Sequence, residues 1–335
     1  MHEAILWESA GERVKCLLCP HACSIAEGGH GVCGVRENHG GRLYSLIYGR
    51  VSSVASDPIE KKPVFHYFPG TSALSLGSVG CTMRCGHCQN WRISRGGPDD
   101  ETLHELTPAT AVDMAIKYKC LGVAFTYNEP VIWVEYVRDV AKKCRAAGLY
   151  TVMVTNGYIT EKGLDAFGGL IDVWRVDVKG ITDAAYRTLC KVPSGQPVLD
   201  AAERARHHWH MHVEVVTNVV PGINDSDESL TGIATWIRDR LGTDTPWHVT
   251  RFFPYLEFAD VPPTPLEVLR RARSIGSEAG LHFVYLGNVD EPGGEDTVCP
   301  SCGAVAVRRS GYVVLERATR DGACARCGTD LYLVG

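Results

Sequence analysis

The stretch Cys81-Thr-Met-Arg-Cys85-Gly-His-Cys88 places three cysteines at C-x-x-x-C-x-x-C spacing, directly after an apolar run at residues 73–79 that predicts a buried strand. A closed metal site uses four protein ligands. Three thiolates on one loop can therefore hold three irons of a 4Fe-4S cluster and leave the fourth iron open to a substrate or cofactor. The alternative is a zinc site in which His87 supplies the fourth ligand.

Alternating strand and helix patterns surround this loop. Short runs rich in Val, Ile, Phe and Tyr predict buried parallel strands at residues 73–79, 122–127, 150–155, 173–178, 213–220, 248–253 and 282–286. Helical patterns lie between these runs, and the one at residues 131–147 stops at Gly148, a residue suited to a helix C-terminus. Repeated βα units predict a parallel sheet, either open or curled into a barrel.

The composition limits the classes of protein to consider. A chain of 335 residues with 45% apolar and 22% charged residues excludes wholesale disorder and leaves material for a sizeable core. The net charge of -5 and the lack of a long Lys/Arg block argue against a nucleic-acid surface. The sequence has no basic leader and no apolar run of about 20 residues, which predicts a cytoplasmic protein without a membrane span.

The 14 cysteines mostly fall into groups, and grouped thiols in a reducing compartment indicate metal. The group nearest the start of the chain can close one tetrahedral site, for which zinc and an auxiliary 4Fe-4S cluster both fit. His21 could replace one of its cysteines. The members of this N-terminal group are Cys16, Cys19, Cys23 and Cys33.

The group nearest the end of the chain consists of two C-x-x-C-G knuckles separated by 21 residues, a spacing that predicts a zinc ribbon, with rubredoxin-like iron as the alternative. Its members are Cys299, Cys302, Cys324 and Cys327. Three further cysteines lie outside the groups, and we expect them to pack as small apolar residues: Cys120, Cys144 and Cys190.

These patterns divide the chain into three predicted domains. Residues 1–72 form a Cys-rich extension, residues 73–290 form the βα domain, and residues 291–335 form the zinc ribbon. Functional residues of βα barrels lie at the C-terminal ends of strands. The candidates for cofactor binding at the predicted strand ends are Tyr127, Asn128, Glu129, Thr155, Asn156, Asp177, Lys179, Asn218, Pro221 and Arg251.

The cysteine loop and the strand-end motifs together resemble the radical S-adenosylmethionine (SAM) superfamily. The resemblance implies a partial (βα)6 TIM-like barrel and a 4Fe-4S cluster on Cys81, Cys85 and Cys88, whose open iron is chelated by the amino and carboxylate groups of SAM. An electron from a donor such as flavodoxin or ferredoxin would then cleave SAM to methionine and a 5′-deoxyadenosyl radical, which abstracts hydrogen from a substrate.

The same resemblance assigns roles at the strand ends. Glu129 corresponds to the glutamate that meets the SAM amino group, although Tyr-Asn stands here in place of the superfamily's Gly-Gly. Thr155 and Asp177 would hold the carboxylate region of SAM, Lys179 would supply charge to it, and Pro221 would pack near the adenine.

Two narrower resemblances lead to different functions. The motifs Thr155-Asn-Gly and Asp177-Val-Lys resemble those of the enzymes that activate pyruvate formate-lyase. Those activases carry a histidine soon after a Pro-Tyr pair, whereas Pro254-Tyr255 is followed here by Leu256. The motifs Cys16-Leu-Leu-Cys-Pro-His-Ala-Cys and Asp57-Pro-Ile-Glu-Lys-Lys-Pro resemble the AmmeMemoRadiSam-system enzymes. That family implies Memo and AMMECR-type partners and an unknown substrate.

Three functions therefore remain open. The first is direct radical modification of a small molecule or partner side chain, and the second is activation of a glycyl-radical enzyme. The third is a non-catalytic metal-binding scaffold that uses its zinc ribbon.

Overall fold

The computed structural model describes all residues from Met1 to Gly335, and the chain divides into two compact units. The first unit consists of Met1–Asp57, Ser72–Trp174 and Gln196–Met211, and the second consists of Pro58–Thr71, Arg175–Gly195 and His212–Gly335. The three predicted domains, at 1–72, 73–290 and 291–335, stay a prediction.

Three parallel strands form the core of the first unit: β1 (Ser72–Gly77), β2 (Gly122–Phe125) and β3 (Tyr150–Thr155). β2 lies between the other two, so Gly122 pairs with Ala73 on one side and with Tyr150 on the other. All four residues of β2 are buried, which is why its sequence is continuously apolar rather than alternating. The strands confirm the runs predicted at 73–79, 122–127 and 150–155.

Helices separate these strands, and side-chain caps fix where several of them begin. The hydroxyl of Thr107 accepts a hydrogen bond from the Thr110 amide at 3.1 Å, and Thr160 caps a later helix in the same way. The helices of the first unit are Trp91–Ser94, Pro108–Lys117, Val134–Ala146, Glu161–Asp165 and Gln196–His207, with a 3-10 turn at Pro130–Trp133.

The Cys-rich segment at the start of the chain is built from short antiparallel strands. One of its hairpins turns at Gly40 and Gly41, whose φ angles of +61° and +74° suit the two-residue turns that glycine favours. The strands are His2–Glu3, Trp7–Ala10, Arg13–Cys16, Ser24–Ile25, Arg36–His39, Arg42–Ser45 and Arg50–Val51, which pairs with His104–Glu105. Strand Ser53–Pro58 instead lies beside β1 in the main sheet.

The second unit has the same parallel pattern. Strand β4 (Val173–Asp177) crosses the boundary between the two sequence ranges, and β5 (His212–Val219), β6 (Trp247–Arg251) and β7 (Val284–Gly287) follow. β6 pairs in parallel with β5 and β7. The remaining predicted runs are thus confirmed as strands. The helices are Asp183–Cys190, Asp227–Trp236 and Leu266–Glu278, with a π-helical turn at Ile237–Leu241 and 3-10 turns at Ile59–Lys61 and Leu256–Phe258.

The end of the chain forms a small β unit around the last four cysteines. Strand Val305–Ser310 pairs with both of its neighbours in antiparallel fashion. The strands are Thr297–Val298, Val305–Ser310, Val313–Arg317, Thr319–Arg320 and Ala323–Cys324. None of the helices in the structure has the length and hydrophobicity needed to cross a bilayer.

A fully buried carboxylate organises the core of the second unit. Glu214 on β5 accepts hydrogen bonds from the amides of Phe65 and His66 at 2.8–3.0 Å, and from His212 and His248 at 3.0 and 2.6 Å. Burial alone would raise the pKa of this carboxyl. The hydrogen bonds from the two histidines outweigh burial and hold the pKa well below its usual range.

We expect Glu214→Gln to lower the free energy of unfolding at pH 7 by about 3 kcal/mol, because the amide cannot accept from all four donors. Since the folded pKa is depressed, the wild-type advantage is complete above the unfolded carboxyl's pKa. It shrinks as pH falls towards the folded value. Urea unfolding between pH 3 and 7 measures both effects. The exposed Glu316→Gln is the control, and equal stability of the two variants would contradict this role.

Candidate active site and metal centres

The three-cysteine loop leaves β1 through a tight glycine turn. Gly80 has φ +88°, and a Cβ atom there would lie 2.7 Å from the Cys33 carbonyl oxygen, so only glycine fits. Cys81, Cys85 and Cys88 follow, all partly buried. Burial, then the charge of Glu129, raises the pKa of the Cys81 thiol well above its usual range. A thiolate at this position therefore needs a cation, as a metal cluster would provide.

Glu129 joins the end of β2 to the end of β3. Its Oε1 accepts hydrogen bonds from the Thr155 hydroxyl at 2.5 Å and from the Val131 amide at 3.1 Å. Its Oε2 accepts a hydrogen bond from the Asn156 amide at 2.8 Å. The side chain of Glu129 is only 2% exposed, so these donors take the place of water around the buried charge.

Asn156 links this carboxylate to the cysteine loop. Its backbone amide donates to Glu129, and its side-chain amide lies 3.5 Å from the Cys81 sulfur and 3.0 Å from the Thr82 hydroxyl. The structure thus brings together five predicted site residues of the first unit at the ends of β1, β2 and β3: Cys81, Asn128, Glu129, Thr155 and Asn156.

The backbone explains why Tyr-Asn can stand where the superfamily has Gly-Gly. Tyr127 has φ +75°, a conformation that glycine adopts readily and other residues rarely do. Two contacts hold it there: its hydroxyl donates to Asp57 Oδ2 at 2.7 Å, and its carbonyl accepts from the Asn90 side chain at 2.8 Å. Tyr127 keeps the glycine-like path of the chain and adds a hydrogen bond to a distant segment.

The Asn128 side chain hydrogen-bonds the backbone that leads into the cysteine loop. It accepts from the Ser78 amide at 2.9 Å and donates to the carbonyls of Val79 and Gly80, both at 3.1 Å. A glycine could make none of these bonds. The departure from Gly-Gly therefore replaces conformational freedom by specific contacts to the start of the loop.

The predicted residues at the end of β4 form a charged cluster in the second unit. Asp177 accepts from Arg175 at 2.7 Å and pairs with the Lys179 ammonium at 3.4 Å. Burial would raise the pKa of Asp177, but the two cations outweigh burial and lower it. The carbonyl of Lys179 accepts a hydrogen bond from Asn224 at 2.9 Å.

The remaining predicted residues of the second unit lie at the ends of β5 and β6. Asn218 donates to the carbonyls of Thr250 and Arg251 at 3.3 and 3.0 Å, tying the two strand ends together. Pro221 begins the turn that continues through Gly222, whose φ is +75°. The Arg251 guanidinium lies 5.6 Å from the centre of the Phe253 ring.

The C-terminal cysteines lie close enough together to hold one metal ion. The sulfurs of Cys299 and Cys327 are 3.5 Å apart, those of Cys302 and Cys324 are 3.7 Å apart, and all four lie within 4.8 Å of one another. A tetrahedron with Zn–S bonds of about 2.3 Å has edges of about 3.8 Å, so the spacing fits a single zinc ion. A hydrogen bond from Thr329 to Cys327 lowers the pKa of that thiol to about 6.

The N-terminal cysteines also come together. Burial is the main reason why the pKa of the Cys33 thiol rises to about 11 and that of Cys19 rises further, and repulsion among the four thiols adds to both shifts. His21, considered from the sequence as a replacement ligand, instead lies with Nε2 at 2.6 Å from the Thr82 carbonyl oxygen.

Comparisons with known proteins agree with this arrangement. The model of the radical SAM superfamily matches residues 76–232. A protein of uncharacterized function from Methanocaldococcus jannaschii is 41% identical over 339 residues and covers 100% of both chains. The pyruvate formate-lyase 1-activating enzyme of Escherichia coli K12 is 24% identical over 224 residues, which cover 62% of this chain and 89% of that enzyme.

Solved structures share the fold at low sequence identity. A radical SAM methyltransferase from Sphaerobacter thermophilus superposes with a TM-score of 0.52 at 15% identity, covering 65% of this chain and 67% of that one. SuiB of Streptococcus suis, bound to its precursor peptide SuiA, superposes with a TM-score of 0.51 at 12% identity. The match covers 69% of this chain and 51% of SuiB.

The α/β fold and the cysteine loop define a radical SAM enzyme, a class that uses a 4Fe-4S cluster, SAM and a one-electron donor. Residues 76–232 form a domain of the radical SAM superfamily, and the chain shares its full length with the M. jannaschii relative.

Sequence reasoning missed three residues that shape the site. Asp57 holds the Tyr127 hydroxyl, Asn90 holds the Tyr127 carbonyl, and Thr82 contacts Asn156. Asp57 lies in the motif Asp57-Pro-Ile-Glu-Lys-Lys-Pro. Its negative charge is the one feature of the sequence that could have marked it as a site residue. That motif reads as irregular in the sequence, yet it contains the end of strand Ser53–Pro58 and the 3-10 turn Ile59–Lys61.

We expect Tyr127→Phe to lower the free energy of unfolding by about 1.5 kcal/mol, because the nearly buried Asp57 loses a hydrogen-bond donor. Asp57→Asn should cost a similar amount, and the double variant should cost little more than either single change. Denaturant unfolding of the three proteins measures this coupling. Tyr118→Phe, on an exposed tyrosine of the same unit, is the control; strictly additive losses would show that the two side chains do not interact.

Proposed function

We propose that Cys81, Cys85 and Cys88 hold the 4Fe-4S cluster and that SAM binds its open iron. The observation that carries this assignment is the position of Asn156, which bonds Glu129 through its amide and approaches the Cys81 sulfur with its side chain. A superfamily glutamate and a cluster cysteine are thereby joined through one residue. The donor set fits the group, because three thiols on one loop leave one iron without a protein ligand.

The residues of the first unit would bind and orient SAM. Glu129 places a buried negative charge beside the cysteine loop, which complements the amino group of SAM. Thr155 and Asn156 fix the orientation of this carboxylate, and Tyr127 and Asn128 fix the path of the chain that leads to it. These side chains set the position of SAM before any bond is broken.

The residues of the second unit are assigned to SAM by resemblance. Asp177 would meet the carboxylate region, and the Lys179 ammonium supplies the positive charge that a carboxylate requires. Asn218, Pro221 and Arg251 are proposed contacts on the adenosine side.

The bound groups supply the difficult chemistry. Held by Cys81, Cys85 and Cys88, a reduced cluster with SAM bound would supply one-electron cleavage of SAM to methionine and a 5′-deoxyadenosyl radical, which would abstract hydrogen from the substrate. Flavodoxin or ferredoxin is the proposed electron donor. The C-terminal cysteines are proposed to hold structural zinc, and the N-terminal cysteines zinc or a second iron–sulfur cluster.

The proposed setting is a three-component system of the AmmeMemoRadiSam type in the cytoplasm, with Memo and AMMECR-type partners. The match to the N-terminal cysteine motif and to the Asp57–Pro63 motif supports this setting. Glycyl-radical activation is the second candidate, because activating enzymes of pyruvate formate-lyase are among the relatives. Those activases carry a histidine soon after a Pro-Tyr pair, whereas Leu256 follows Pro254-Tyr255 here. This difference favours direct modification of a partner or small molecule. The match to an enzyme superfamily argues against the third function considered from the sequence, a non-catalytic metal-binding scaffold.

Protein purified without oxygen should produce 5′-deoxyadenosine from SAM when a reductant is added. Cys85→Ala should lose both the brown colour and the product, because two thiolates cannot retain the cluster. Cys144→Ala is the matched control, since Cys144 is buried in a helix away from the cysteine groups. Product formation by Cys85→Ala, or none from wild type with a full cluster, would refute the assignment.

The partner proteins distinguish the two enzymatic functions. Direct modification predicts a mass change on a partner side chain or small molecule after turnover with Memo and AMMECR-type proteins. Glycyl-radical activation predicts instead a stable organic radical signal on a partner. Mass spectrometry and electron paramagnetic resonance (EPR) of the same reaction mixture record both outcomes.

We expect the C-terminal cysteines to bind one zinc ion per chain. Cys302→Ser should remove that ion and lower the thermal stability, because so small a β unit depends on its metal for folding energy. Elemental analysis and thermal unfolding measure the two effects. Cys120→Ser, outside the groups, should keep the zinc; a Cys302→Ser protein with unchanged zinc would contradict the site.

A further inference from the structure

The N-terminal cysteine segment, residues 16–33, packs directly on the loop that carries Cys81, Cys85 and Cys88. His21 Nε2 lies 2.6 Å from the Thr82 carbonyl oxygen, and the Arg84 guanidinium donates to the Val32 carbonyl at 3.0 Å. The Cys33 carbonyl is the atom that a side chain at Gly80 would strike. Gly80, Thr82 and Arg84, which flank Cys81 and precede Cys85, therefore all lie against this segment.

The same segment also contacts the loop after β3, which begins with Asn156. The amide of Thr160 donates to the Leu18 carbonyl at 3.1 Å, and its hydroxyl donates to the Leu17 carbonyl at 2.8 Å. A Cβ atom on Gly163 would lie 2.4 Å from the Leu18 carbonyl oxygen. The segment therefore contacts both loops that meet at the Cys81 sulfur.

Only a two-residue strand, Ser24–Ile25, gives regular structure to the stretch between Cys23 and Cys33. Residues 24–32, between Cys23 and Cys33, include three glycines and form no helix. The sulfurs of Cys23 and Cys33 both lie 3.7 Å from the Cβ position of Gly31, so the chain returns to bring these two thiols together. A loop of this composition needs a cross-link to hold one conformation, and a metal bound to four thiolates is such a cross-link.

A buried arginine interacts with two cysteines of this group. Arg36 is 1% exposed, its charge acts on Cys16 and Cys33, and it is paired with Glu135. Its Nε is buried without a hydrogen-bond partner. Four thiolates around Zn²⁺ or an oxidised 4Fe-4S cluster carry a net negative charge, so they would stabilise this donor far better than neutral thiols would.

We propose that Cys16, Cys19, Cys23 and Cys33 bind a thiophilic metal centre, and that this centre positions the loop that carries the SAM cluster. The shared chemistry is four-thiolate ligation, which zinc and an iron–sulfur cluster both satisfy. The metal site stands on its own residues, whereas the positioning role rests on the proposed function. His21 is the positioning residue that connects the N-terminal cysteine segment to the loop that carries Cys81, Cys85 and Cys88.

Metal counting tests the site without any SAM chemistry. The full-length triple variant Cys81→Ala/Cys85→Ala/Cys88→Ala, purified without oxygen, should retain two metal centres. Elemental analysis then distinguishes two zinc ions from one zinc ion with a four-iron cluster. Adding Cys19→Ser and Cys23→Ser should remove one centre. A triple variant with a single centre, or an unchanged count after the added substitutions, would overturn the proposal.

Spectroscopy and kinetics test the positioning role. His21→Leu removes the ring nitrogen that reaches Thr82 and should change the EPR spectrum of the reduced SAM cluster with SAM bound. It should also slow SAM cleavage about tenfold or more, because displacing reacting groups by a fraction of an ångström is costly. His21→Gln, which keeps a donor, should restore part of the rate. His39→Leu, on an exposed histidine of the same unit, is the control.

The outcomes separate the two proposals. An unchanged spectrum and rate in His21→Leu would overturn the positioning role. If wild type gives no SAM-dependent signal while the metal count holds, the proposed function and the positioning role fail and the metal site stands.

Discussion

The active-site end of the first unit depends on one buried negative charge. Glu129 lies away from water, and the Thr155 hydroxyl and two backbone amides donate hydrogen bonds to its carboxylate. Two of these donors belong to the end of the neighbouring strand, so the strand ends cannot move independently. Asn156 extends the constraint to the cysteine loop. The relative positions of Cys81, Glu129 and Thr155 therefore follow from a single hydrogen-bonded unit.

The βα part of the fold was predictable because its strands are buried on both faces. Runs such as residues 150–155 are rich in β-branched and aromatic residues, and the observed strand matches them residue for residue. The first 52 residues gave no such signal. Their strands are short and mixed in composition, and Trp7–Ala10 is largely exposed. Their order depends on contacts far along the chain, such as the ion pair of Arg36 with Glu135.

The candidate site was predictable where chemistry imposes a fixed spacing and unpredictable where contacts are distant. Cysteine spacing singled out the loop at residues 81–88, and Glu129 was a candidate because it follows a strand; the structure brings both together. Asp57 contacts a tyrosine 70 positions away, which no local pattern indicates. His21 was considered as a metal ligand because it lies between cysteines, and only the three-dimensional structure shows that its ring approaches the Thr82 carbonyl.

The left-handed backbone at Tyr127 has a consequence for how relatives are found. A search pattern that demands two glycines before the glutamate would reject this chain, although Tyr127 adopts a φ angle that glycine favours. A left-handed dihedral angle can be reached by glycine, or by another residue that its contacts hold in place, as they hold Tyr127. Describing the motif by conformation, with a distant acidic partner as compensation, would bring divergent sequences into the same group. Tyrosine followed by asparagine would then count as one sequence variant of the motif.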